Sequence, residues 1–251
     1  MGFRAKTLQS RALEVVCGYP IGTTLDAMRY HHVRHHRDSG MPTDPYFKAG
    51  VEESRVLYVA QMARGLLLLP FWMVRGPFGL AAWAVPGLRG VYGRAFLQDR
   101  SGEDLTRSVE VARCAREELG QVIFHTLVWA AWWRWPWAVG FGNLLPAWGA
   151  GVLAAWRLLQ EHVYEGTTER GMETIFRATR DHHTGAVGQI VLAPLNIGYH
   201  VVHHLHPQVG LRHLPALTVR GTNAPIRVGI REAYELCLHR RRVHPARGDT
   251  C

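Results

Sequence analysis

The sequence predicts an all-α integral membrane protein, and three observations carry that prediction. An apolar stretch without charge runs from Trp135 to Trp156. A second, Val122 to Trp133, precedes it across Arg134-Trp135-Pro136-Trp137. And the pattern H-x-x-H-H occurs twice, as His32-Val33-Arg34-His35-His36 and as His200-Val201-Val202-His203-His204. Positions i, i+3 and i+4 share a face only on a helix.

The elements follow in order. Met1 to about Glu53 is polar and carries the first triad, followed by a turn at Gly40-Met41-Pro42-Thr43-Asp44-Pro45. Leu57 to Leu88 is apolar but interrupted by Arg64, Pro70, Arg75, Gly76 and Pro77. Neither side of Arg75 offers a clean apolar run of about 18 residues, so two interfacial or re-entrant helices are expected there. A buried hairpin of a soluble protein is the alternative. Gly90 to Leu119 is charged and reads as a water-facing helix.

Gln121 to Trp156 reads as a transmembrane hairpin with a short first arm. Its turn lies at the interface, where Trp is favoured, and Pro146 and Gly149 are positioned to kink the second arm. Arg157 ends the span. Glu165 to Arg180 is polar, and Ala186 to Ile197 is a short apolar helix leading into the second triad. The basic tail, Arg240 to Arg247, is either a lipid-headgroup contact or disordered.

Composition narrows the class. The chain has 251 residues, enough for a single domain over 1–251, with 1–17 as lead-in and 240–251 as tail. Lys and Arg number 29 against 20 acidic residues, a formal charge of +9 that suits nucleic acid, anionic lipid or an acidic partner. Nine Trp and a 47% hydrophobic content favour lipid, and no nucleic-acid motif appears, so no nucleic-acid partner is expected. Cys17, Cys114, Cys237 and Cys251 lack C-x-x-C spacing, which indicates neither a disulfide framework nor a zinc ribbon. Phe3 to Ser10 has charges and no apolar core, so no secretory signal is expected.

The two triads are the chemistry-bearing feature. A lone His pair on a helix is more often surface or satisfied core than ligand. Two identically spaced triads point instead to a metal centre where two helices meet. Imidazole suits iron, copper, nickel and zinc. A mononuclear zinc site needs three or four protein ligands, so six imidazoles fit a dinuclear site better. Aligning the copies pairs His32 with His200 and His31 with Tyr199, which makes His31 a flanking residue. His162 follows the last apolar segment and is a weaker candidate on its own. His206 reads as structural, and His182 and His183, in a polar loop after Asp181, are left out of the ligand set.

Asn196-Ile197-Gly198-Tyr199-His200-Val201-Val202-His203-His204-Leu205-His206-Pro207 resembles the last histidine box of the membrane fatty acid desaturase superfamily. His32 to His36 followed by Asp44-Pro45 resembles its middle box. Arg157-Leu158-Leu159-Gln160-Glu161-His162 resembles the stretch after its last membrane helix, whose His is a further iron ligand. The likeness covers about Gly18 to Leu217. It implies helices in the membrane and a cytoplasmic helical cap that carries the boxes and two irons. His32, His35, His36, His162, His200, His203 and His204 would then be ligands, with Asp44, Glu161 and Asn196 supporting them. The basic excess also favours the cytoplasmic side for boxes, cap and tail.

One departure stands out. The family has an earlier box, H-x-x-x-H or close to it, after a membrane helical pair. The thirty residues before His31 contain no His and no apolar stretch. Phe3 to Gly18 resembles the segment that normally follows that box. The expectation is a sequence that begins just after it, through a misplaced start or truncation, or else a paralogue that lost the box.

The activity this resemblance implies is O2-dependent introduction of a double bond into a lipid acyl chain. A hydroxylase or ketolase acting on a carotenoid, sterol or alkane is the alternative on the same scaffold. A non-catalytic membrane protein holding one metal or none is the alternative from another class. The implied partners are a hydrophobic substrate, the membrane and a separate ferredoxin-like or cytochrome b5-like electron donor, since no heme-binding pattern is seen.

Overall fold

The structure, a computed structural model, describes residues 7–182, 185–215 and 217, and the backbone of 227–228. Its helices are α1 (Leu8–Leu13), α2 (Leu25–Asp38), α3 (Arg55–Arg64), α4 (Leu68–Ala84), α5 (Arg89–Phe96), α6 (Val109–Arg134), α7 (Pro136–Val139), α8 (Leu145–Glu161), α9 (Met172–Ala178), α10 (Ala186–Val191) and α11 (His200–Leu205). Among the described residues the strands are β1 (Asp181–His182) and β2 (Arg227–Val228), paired in parallel. The expected basic tail, with Cys237 and Cys251, lies outside the described residues.

Two compact units divide the chain: residues 1–35 with 63–152, and residues 36–62 with 153–251. The division falls inside α2, α3 and α8.

In the first unit α4 packs along α6. Gly79 permits the approach, because a Cβ there would lie 2.6 Å from Glu118 Cγ. At this contact Arg75, 1% exposed, pairs with fully buried Glu118 at 2.8 Å. Arg75 also donates to Thr23 Oγ1 and Gln121 Oε1, and Tyr92 donates to Glu118 at 2.7 Å. A buried ion pair is costly unless its remaining polar atoms find partners, and these three hydrogen bonds supply part of them. Around it pack Ala27, Tyr30, Ala82, Tyr92, Phe96 and Cys114. The start of α2 is fixed here too: Leu25 N–H donates to Glu14 Oε1 at 2.9 Å, and Ala27 N–H to Thr24 Oγ1 at 3.2 Å.

In the second unit Val51, Leu159 and Tyr164 form a small core with Phe47, Tyr58 and Met62 packed on it. Tyr164 is tied at both ends, its N–H to Glu52 and its hydroxyl to the Leu158 carbonyl.

Among the described residues, two helical runs are long and apolar enough to cross a membrane: Arg55–Ala84, with mean hydropathy 1.4, and Pro136–Glu161, with 1.3. Only 11% and 17% of their most apolar windows are buried, the reverse of a soluble core helix. The first run corrects the sequence expectation. Leu57 to Leu88 does not break into two interfacial helices at Arg75. α3, a short 3-10 turn at Gly65–Leu67 and α4 are continuous, because Glu118 neutralises Arg75 from another helix.

The expected hairpin is also redistributed. The helix breaks where the turn was expected, with α6 ending at Arg134 and α7 starting at Pro136. Its first arm, however, is the end of a helix that begins in the charged segment at Val109, and is not one of the two candidate spans. Nor is that charged segment wholly water-facing, since Val111, Cys114, Ala115, Glu117 and Glu118 are buried. The helix expected over Ala186 to Ile197 stops at Val191, and Leu195 and Asn196 adopt left-handed backbone (φ 58° and 68°) before α11 begins.

Candidate metal centre

Three pieces of chain carry the candidate imidazoles. α2 carries His32, His35 and His36 on one face, as their spacing requires. His36 belongs to the second unit. His32 and His35 sit on the preceding turn, in the first, and His35 is fully buried. His162 follows α8 directly and is held there by an antiparallel bridge to Thr179. α11 presents His200, His203 and His204, all buried.

Within the second unit the ring nitrogens converge. His162 Nε2 and His200 Nε2 are 3.1 Å apart, as are His200 Nε2 and His204 Nε2. His36 Nε2 and His203 Nε2 are also 3.1 Å apart. Two nitrogens bound to one first-row ion at roughly 2.0–2.1 Å each can be at most about 4.2 Å apart, so every one of these pairs fits a shared ion.

The opposite ring edges set the tautomers. His162 Nδ1 lies 3.0 Å from the Leu158 carbonyl oxygen. A carbonyl only accepts, so Nδ1 carries the hydrogen and Nε2 presents its lone pair. His200 Nδ1 faces the Glu161 carboxylate at 3.7 Å, which favours the same tautomer. Two lone pairs 3.1 Å apart repel unless positive charge lies between them. That is the polarity a metal ion satisfies, and the neutral imidazole set is the donor chemistry that iron accepts. His204 Nδ1 meets Ser39 Oγ at 2.9 Å.

Electrostatics keep the donors neutral. Burial pushes the His200 imidazolium well below the usual histidine range, helped by His204, His162 and His203. Burial and Arg157 lower His203 as well. Burial raises the Asp181 carboxyl to about 7.

The expected supporting residues occupy distinct places. Glu161, 1% exposed, lies between Arg157 at 3.1 Å and His200. Asp44 is buried in the turn after α2, accepting the N–H groups of Gly40 and Tyr46. Asn196 accepts the Tyr199 N–H through its backbone carbonyl. His31 is buried in the first unit, its imidazolium lowered to about 3, chiefly by burial. His206 is exposed.

Sequence reasoning missed three neighbours. Ser39 reaches His204 from just past α2. Asp181 and His182, read as a polar loop, are buried; His182 Nε2 lies 4.0 Å from Glu161 Oε1. The only local signal was three consecutive ligand-type residues, Asp181, His182 and His183, and His183 lies outside the described residues.

The described residues are mostly helical, with two helices of membrane length and clustered buried imidazoles. The family model described as "Fatty acid desaturase" aligns with residues 2–233, and the chain belongs to the fatty acid desaturase family. Comparison with curated proteins and with solved structures gave no match.

Proposed function

We propose that this protein is a membrane oxidoreductase of the di-iron class that introduces a double bond into a lipid acyl chain. The convergence of His162, His200 and His204 nitrogens at 3.1 Å carries the reading. His36 and His203 form a second pair of donors. His32 and His35 join the ligand set by their spacing on α2.

The two irons would supply the reduction of O2 and the removal of hydrogen from an unactivated C–H bond. The reaction balances with a donor: O2 takes two hydrogens from adjacent carbons, plus two electrons and two protons, to give two waters and one double bond. The electrons come from a separate ferredoxin-like or cytochrome b5-like protein.

The chain's own residues bind and orient. The Leu158 carbonyl and Ser39 fix the rings of His162 and His204, and Glu161 faces His200. Burial of all three rings keeps bulk water from the nitrogens. The exposed apolar residues Val56, Val59, Leu67 and Val74 suit a lipid environment, where a greasy substrate resides. The boxes are proposed to face the cytoplasm, following the basic excess.

Expression in a heterologous host, followed by mass analysis of total lipids, tests the reaction. A new product two mass units lighter supports desaturation. A product sixteen units heavier assigns hydroxylation instead. No change relative to a His200→Ala control, with donor supplied, removes both.

A further inference from the structure

Asp181 belongs to no histidine box, yet it is fully buried beside the second one. Its Oδ1 accepts the Val201 N–H at 2.7 Å, and the neighbouring His200 N–H favours the charged form of the same carboxylate. A free helix start leaves its first N–H groups without partners inside the helix. Here a side chain from 20 residues away satisfies one of them.

The next residue completes the grip. His182 N–H donates to the Gly198 carbonyl at 2.9 Å. Gly198 in turn lies so close to the His182 carbonyl oxygen that a Cβ would overlap it. The segment Asp181-His182 therefore holds Gly198 to Val201 from one side, and His200 is inside that hold. α11 is only six residues long. So short a helix has little stability of its own, and the directions of His200, His203 and His204 depend on what anchors its first turn.

We infer that Asp181 is a positioning residue for the metal centre: its carboxylate fixes the start of α11 and so aims the three imidazoles of the second box. This rests on the reading of those imidazoles as metal ligands. The oxygen acceptor, not the charge, is what the geometry uses.

The test is titration of the metal-free 251-residue chain in detergent with cobalt(II) alone, read by visible absorption and by equilibrium affinity. Three variants are compared with the unmodified chain. Asp181→Leu has similar bulk and no acceptor. Asp181→Asn keeps an oxygen for Val201. Tyr92→Phe removes a buried hydrogen bond in the other unit and controls for general destabilisation. Asp181→Leu is expected to bind roughly 10- to 100-fold more weakly, the range seen when groups supporting metal ligands are removed, with an altered spectrum. Asp181→Asn is expected to restore both, and Tyr92→Phe to leave the spectrum unchanged.

If Asp181→Asn is as weak as Asp181→Leu, charge rather than positioning is at work and the inference falls. If Asp181→Leu keeps the affinity and spectrum of the unmodified chain, the inference falls while the metal reading stands. If the unmodified chain binds no cobalt, both fall.

Discussion

His162 Nε2 and His200 Nε2 lie 3.1 Å apart although 38 residues separate them in the chain. The opposite nitrogen of His162 is hydrogen-bonded to the Leu158 carbonyl, and that of His200 faces the Glu161 carboxylate at 3.7 Å. The pair is built to offer lone pairs to a common point.

Removing one member should therefore cost metal more than fold. His200→Ala and His162→Ala are each expected to lower bound iron severalfold, with helical content unchanged by circular dichroism. Unchanged iron in either would remove that residue from the ligand set.

Gly198→Ala should act through the backbone. The new Cβ would overlap the His182 carbonyl, so the strand and the start of α11 must separate. Overpacking of this kind typically costs about 1–3 kcal/mol. A lower melting temperature together with weaker metal binding is expected. Loss of stability alone would show that the contact does not reach the histidines.

The ion pair between Arg75 and Glu118 should show a non-additive response. Both side chains are buried, so Arg75→Leu alone strands a carboxylate and is expected to cost about 3–5 kcal/mol. Arg75→Leu with Glu118→Gln should recover part of that loss. Chemical unfolding in detergent measures it, and additive losses would mean that the pair contributes nothing as a pair.

Low pH should destabilise the metal-free chain. His31, His200 and His203 all have folded values below the ordinary histidine value of 6.5. The unfolded chain then binds more protons below about 6.5, so the contribution of these groups is present above that pH and falls as pH drops. Each can cost at most about 2 kcal/mol at pH 5. Asp181 works in the opposite direction. Its folded value, raised to about 7, gives a contribution present below the ordinary 3.8 and lost as pH rises through 7. Burial raises Glu161 to about 7 as well, so it adds to Asp181. Three histidines against two carboxyls predict a melting temperature that falls between pH 6.5 and pH 5 by less than the histidines alone would give. A melting temperature that rises as pH drops through that window would contradict the burial of these rings as neutral groups.

Much of the centre was legible because the helix imposes its period on the sequence. The spacing of His32, His35 and His36, and of His200, His203 and His204, announced two helical faces, and both helices exist. His162 was weak by spacing and rose only through its likeness to the family stretch ending in Glu-His. Asp181 and Ser39 were not legible. Each acts on a residue far away in sequence, and no local pattern encodes such a contact. The misreading of Leu57 to Leu88 has the same origin. Hydropathy registers Arg75 as an unpaired charge, whereas Glu118, 43 positions later, neutralises it. The helix before the second box was overextended although Pro194 lies inside the expected span: the helix stops at Val191, and Leu195 and Asn196 after the proline are left-handed.

The most direct test is the iron content of the 251-residue chain, purified in detergent from iron-replete cells and set against protein concentration. A di-iron centre built on these imidazoles predicts iron bound near two per chain, falling sharply in His200→Ala. Iron at background in the unmodified chain would contradict such a centre.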